Sequence, residues 1–132
     1  MEAMRVRIRY DMPDEKGETR RERAIRFGQD DTGPSFNLPD ECHYIWSWYW
    51  TISARLKRVR DGACEPIPAS EFLAWCRASD TIVTAAEYGI VCAMDEVFCA
   101  EMNSELDGYR QRQEENRRQE SRLKSSMPWK RK

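Results

Sequence analysis

Histidine is nearly absent from this chain: His43 stands alone among 132 residues. The Cys42-His43 step offers too few ligands for zinc, and a Cys/His nucleophile pair would need a distant cysteine to meet that one imidazole. There is no Gly-rich phosphate loop, no HExxH and no GxSxG, so no recognisable catalytic constellation is present. The expectation is a binding or assembly role, with no enzyme activity, no cofactor and no metal. Cys42, Cys64, Cys76, Cys92 and Cys99 are odd in number and form no CxxC. That pattern argues against a disulfide framework and for a reducing cytoplasm. No apolar run approaches the roughly 20 residues that span a bilayer, and the opening MEAMRVRIRY lacks the apolar centre of a signal peptide. A net charge of −1 leaves no global excess to attract nucleic acid, and no membrane partner is expected.

What the chain has is aromatic surface, concentrated in YIWSWYW at residues 44–50. Composition divides the sequence into a polar arm over 1–37, an apolar-rich segment over 38–106 and a charged tail over 107–132. In the arm, Arg5 to Tyr10 alternates polar and apolar, the period of a half-buried strand. Ala24 to Phe27 could pair with it, so the arm is read as extended or as a short β-ribbon. The middle segment reads as three helices, and the fold class is mainly α: a small three-helix domain with an N-terminal arm and a polar, helix-compatible tail. The first helix runs from Pro39 to about Arg60, where Asp61-Gly62 stops it. The second covers about Ala69 to Ser79. The third starts at the capping box Thr84-Ala-Ala-Glu87 and runs at least to Leu106.

On a 3.6-residue wheel, Ile45, Trp48, Tyr49, Ile52, Leu56 and Val59 of the first helix form one core-facing stripe, with Ala54 and Arg58 on the far side. Trp46 and Trp50, four apart, lie on its shoulder. Either another helix or the arm wraps over them, or they are an exposed anchor for a partner. Exposure would also favour self-association. The third helix has its own stripe through Tyr88, Val91, Met94, Phe98, Met102 and Leu106, and Asp95 falls within it. A carboxylate there requires a partner, and the candidates are an indole N–H of the first helix or Arg55. The tail from Arg110 holds nine basic residues against three acidic ones and closes on Met127-Pro128-Trp129, a third candidate contact through Trp129.

Leu38-Pro39, Ile45-Trp46-Ser47-Trp48-Tyr49-Trp50, Ile52-Ser53 and Arg55 together resemble the opening of the tail assembly chaperones of long-tailed bacteriophages, including the minor tail protein T-like group. Glu71-Phe72-Leu73-Ala74-Trp75 resembles the second-helix motif of that family, and Met94-Asp95 with Phe98 its third-helix element. The chain departs at Ala86 and at Ser79-Asp80, where the family pattern has a Pro or Trp and a Leu-x-Gly-like turn. The resemblance implies a non-enzymatic protein of the host cytoplasm. It implies two partners: the tape-measure protein, a long helical chain that it keeps soluble, and the tail-tube protein, which it helps recruit. Two other roles stay open: a structural virion protein of the tail or connector, and, behind it, a nucleic-acid-binding regulator using Arg5, Arg7 and Arg9 or the tail.

Overall fold

A computed structural model of the chain describes residues 2–12, 17–29, 33–34 and 37–127. Among these, the elements in chain order are α1 (Glu2–Tyr10), α2 (Arg20–Arg26), a 3-10 turn (Asp40–Cys42), α3 (His43–Ser53), β1 (Val59–Arg60), β2 (Ala63–Cys64), α4 (Ala69–Ala78) and α5 (Ala85–Ser126). The fold is mainly α, with a long C-terminal helix.

The first segment is helical, not extended, and there is no ribbon with residues 24–27, which form the end of α2 and its cap. Six alternating residues fit a strand, but they also fit a helix. At 100° per residue, Val6, Ala3, Met4 and Ile8 span one broad arc with Arg7 in its middle, while Arg5 and Arg9 stack on the opposite side. All four apolar residues are buried. Arg5 pairs with Glu101 at 3.5 Å and Arg9 with Glu105 at 3.9 Å. Both steps are of four residues, so α1 runs parallel to α5. Arg21 of α2 holds the end of α1 through Asp11 at 2.7 Å.

The helix expected to reach Arg60 ends at Ser53. Asp61 and Gly62 both take positive φ, 52° and 79°, the two-residue turn that suits a tight antiparallel hairpin. Val59 pairs with Cys64 and Arg60 with Ala63. The Asp-Gly signal is therefore a hairpin turn, not merely a stop. The hairpin sends Arg58 into the core rather than onto the far side of a helix, and it is buried.

α4 ends through Asp80, held at φ 53°, with the Thr81 N–H returning to the Cys76 carbonyl at 2.9 Å. This is a left-handed helix terminus of the kind glycine usually fills. α5 begins at the capping box read from sequence: the Glu87 N–H donates to Thr84 Oγ1 at 3.2 Å, and the Thr84 N–H donates to Glu87 Oε1 at 2.9 Å. It then runs for 42 residues, about 63 Å at 1.5 Å per residue.

The core joins Met4 and Ile8 of α1, Ile45, Tyr49 and Ile52 of α3, Cys64 of β2, Phe72 of α4, and Val91, Met94 and Phe98 of α5. Beyond Arg110, α5 is almost wholly exposed. Replacing the left-handed residue, Asp80→Gly, should raise stability by up to about 1 kcal/mol in a urea titration, because glycine enters that region without a Cβ penalty. Thr84→Ala should lower it by about 1 kcal/mol through loss of the cap.

Candidate functional site

The expected partners of Asp95 were an indole N–H or Arg55. Arg55 is exposed, and the guanidinium that meets Asp95 is Arg58, displaced by the hairpin. Asp95 Oδ1 accepts from Arg58 Nη2 and, at 2.9 Å, from the Tyr49 hydroxyl. Its Oδ2 accepts from the Ile67 N–H at 2.7 Å. Arg58 Nη1 donates to Ser53 Oγ at 2.7 Å, Nε donates to the Glu65 carbonyl at 3.2 Å, and the guanidinium lies 4.4 Å from the Phe98 ring centre. Both charged side chains are 8% exposed. Burial pushes the Tyr49 hydroxyl well above its usual range, and the Asp95 charge adds to it. For Arg58, burial acts to lower the pKa, but the bonds to Asp95 and Tyr49 override it and the net direction is up. This network is scaffold: it ties α3, the hairpin, the segment before α4 and α5 to one carboxylate.

Beside it, Cys64 and Cys99 are free thiols with their sulfurs 3.4 Å apart. Burial, then the hydrogen bond with Cys99, pushes the Cys64 thiol up to about 12.

Around this scaffold the aromatics form two wings. In the first, Trp46 and Trp50 meet edge to face at 5.7 Å, and Trp50 continues to Tyr49 at 5.3 Å and Phe98 at 5.8 Å. Arg7 of α1 sits 5.4 Å from the Trp50 ring centre. Trp46 and Trp50 are both half-buried, so α1 is the element that lies over this pair. The Trp50 indole N–H is buried and finds no acceptor among the described residues. Trp129 lies outside the described residues.

In the second wing, Tyr44 meets Trp48 at 5.0 Å, Trp48 meets Trp75 at 6.0 Å, Trp75 meets Phe72 at 6.1 Å and Phe72 meets Tyr88 at 5.0 Å. The Glu87 carboxyl is held below its usual range, first by the Thr84 N–H and then by the Tyr44 hydroxyl. This wing is open. Ile82 is 91% exposed and Leu73 51%, with Tyr44, Tyr88 and Ile90 also exposed. Phe72, Leu73, Cys76, Ile82, Val83 and Tyr88 line a shallow groove between α4 and the start of α5. The helical stripe puts Tyr88 towards the core, but α4 leaves it partly in water, and sequence reasoning does not single out Ile82 at all. Ile82 falls in the Thr81–Val83 connection, where no periodicity indicates a face.

His43 bonds the Leu38 carbonyl at 3.1 Å and is exposed. Among the described residues, no three His, Cys, Asp or Glu side chains gather as metal ligands, and no helix is long and apolar enough to cross a membrane.

The helical core commits its buried charges to structure and leaves an apolar groove facing solvent. Residues 33–100 match the family model described as phage tail assembly chaperone, which is just over half of the chain. The chain belongs to that family. Comparison with curated proteins finds no match, and comparison with solved structures finds none.

Two outcomes test the scaffold. Asp95→Ala or Arg58→Ala, each leaving a buried charge unpaired, should cost about 3–5 kcal/mol in chemical denaturation, while Arg55→Ala should stay within about 0.5 kcal/mol. The alkaline side tests Cys64. Its folded pKa of about 12 lies above the ordinary value of 9.0, so the folded state holds a proton that the unfolded state releases. Stability should then be undiminished below pH 9 and fall as pH rises towards 12. Between pH 9 and 10, before tyrosine titrates in the unfolded chain, Cys64→Ala should flatten that fall.

Proposed function

We propose that this protein is a non-enzymatic chaperone of tail assembly that works in the host cytoplasm. It binds the tape-measure protein, keeps that long helical chain soluble and helps bring tail-tube protein to it. The observation that carries the reading is the open groove around Leu73, Ile82 and Tyr88, apolar surface left in water on the part of the chain that matches the family. An amphipathic client helix presents anchors at i, i+3, i+4 and i+7, which suit a groove of this kind. Several copies spaced along one client would add avidity without tight individual contacts.

The projecting half of α5 favours a second reading. Residues 107–126 are helical, nearly all exposed and beyond the family match, as an interlocking segment of a retained tail or connector protein would be. Mass spectrometry of purified particles separates the two, since only a retained protein is present in stoichiometric amounts.

The first reading is tested by co-expression with a tape-measure protein, the long helical client it names. Co-purification with rescue of that protein's solubility is the expected result. Leu73→Ser combined with Ile82→Ser should weaken capture at least about tenfold while leaving the melt nearly unchanged, because both side chains already face water. A client that stays insoluble and unbound with the unaltered chain would sink the proposal.

A further inference from the structure

We propose that the groove between α3 and α5 is a second helix-binding site, that α1 is its resident occupant, and that it accepts in exchange a cationic amphipathic helix of a partner protein. The inference rests on the helical-client reading above and adds to it a covered face with a defined partner chemistry.

Four observations converge. The family match begins at residue 33, so α1 lies outside the family core, yet it packs on aromatics that belong to that core. Its grip has the form of a bound peptide helix: Met4 and Ile8, four residues apart, enter the core, and Arg5 and Arg9, in register with them, reach Glu101 and Glu105 across the rim. Helix-in-groove recognition uses this arrangement of paired anchors with charged flanks. The arginines of the rim pairs are exposed and their carboxylates half-buried, and pairs at 3.5 and 3.9 Å with one partner in water hold weakly. Nine residues are too few for a helix to be stable alone, so α1 is helical because the groove makes it so. Lastly, the fit under α1 is imperfect. The Trp50 ring lies beneath Arg7, while its indole N–H is buried without an acceptor among the described residues. A helix that brought an acceptor to that N–H would gain over α1.

The partner is therefore a helix with apolar side chains at i and i+4 and arginine or lysine at i+1 and i+5. Its binding uncovers Trp46 and Trp50 from α1 and covers them again. That makes the tryptophan pair a contact face only in the exchanged state.

The test uses the full chain and a fluorescein-labelled peptide of residues 1–12 as probe. An occupied groove lowers apparent affinity by the fraction of molecules in which it is free. Met4→Ala combined with Ile8→Ala in the chain should therefore tighten binding of the wild-type peptide by at least about tenfold. A peptide carrying Met4→Asp and Ile8→Asp should not bind. Glu101→Lys with Glu105→Lys in that chain should weaken the arginine peptide and favour one carrying Arg5→Glu and Arg9→Glu. Failure of a folded variant to bind the peptide overturns the proposal. Hydrogen exchange on the unaltered chain decides independently of whether the variant folds. Amides of α1 should exchange well before those of α3 and the first turns of α5, and exchange only on global unfolding would overturn the proposal. A stable dimer with α1 swapped between copies would overturn the choice of partner in favour of a second copy. Peptide exchange without capture of the tape-measure protein would leave this groove standing and remove the chaperone reading. Capture without peptide exchange would do the reverse.

Discussion

The buried Asp95 carboxylate organises this molecule. An ionised carboxylate in an apolar core is tolerated only when it is paired and its lone pairs are filled. Three donors serve its two oxygens, from Arg58, Tyr49 and the Ile67 backbone, and no two come from the same secondary-structure element. The donors fix geometry as much as energy. Tyr49 sets the rotation of α3 against α5, and Ile67 sets where the chain enters α4. Arg58 reaches the site because the chain leaves α3 after Ser53 and the returning strand holds its backbone, the Glu65 N–H donating to the Arg58 carbonyl at 2.7 Å. Ion pairs of this kind often stabilise no better than a well-packed apolar trio would. Their value here lies in allowing one arrangement of α3, hairpin and α5.

That arrangement determines which aromatics see water. With Tyr49 pointed at Asp95, Ile45 and Ile52 face the core, and the remaining rings of α3 must flank it. Trp46 and Trp50 fall on the α1 side, and Tyr44 and Trp48 on the α4 side. The α4 side stays open because α4 is only ten residues long and because the connection after Asp80 holds Ile82 in solvent. The other side is closed by a helix that could not exist without it. One scaffold thus leaves one apolar face open to water and covers another from within the chain.

Much of this was legible in the sequence, and the failures have physical reasons. The Thr84-Glu87 cap, the α4 span and the inward facing of Ile45, Tyr49, Ile52, Val91, Met94 and Phe98 follow from capping chemistry and the helical period, which are local. Leu56 and Val59 did not extend the α3 stripe, because the chain leaves the helix before them. The Asp-Gly pair carried the information, but a turn signal does not say whether a helix simply stops or a hairpin follows. Placing Arg55 rather than Arg58 beside Asp95 is the same error carried one step further. In α1 the arginines alternate with apolar residues over too short a run to separate the two periods. Only the surface offered by α5, distant in sequence, decides for the helix. The cover over Trp46 and Trp50 is likewise non-local.

The length of α5 is set by propagation rather than by packing. Its outer half has no apolar stripe, yet it stays helical. It extends from a nucleus already packed in the core, so each further residue adds a hydrogen bond without a new nucleation step. Strong helix formers and the Arg117 and Arg118 pairs with Glu114 assist it. Phe98, which touches Trp50, lies 28 residues before Ser126, a separation of about 42 Å along the axis. The outer half of α5 therefore projects well clear of the core that nucleates it.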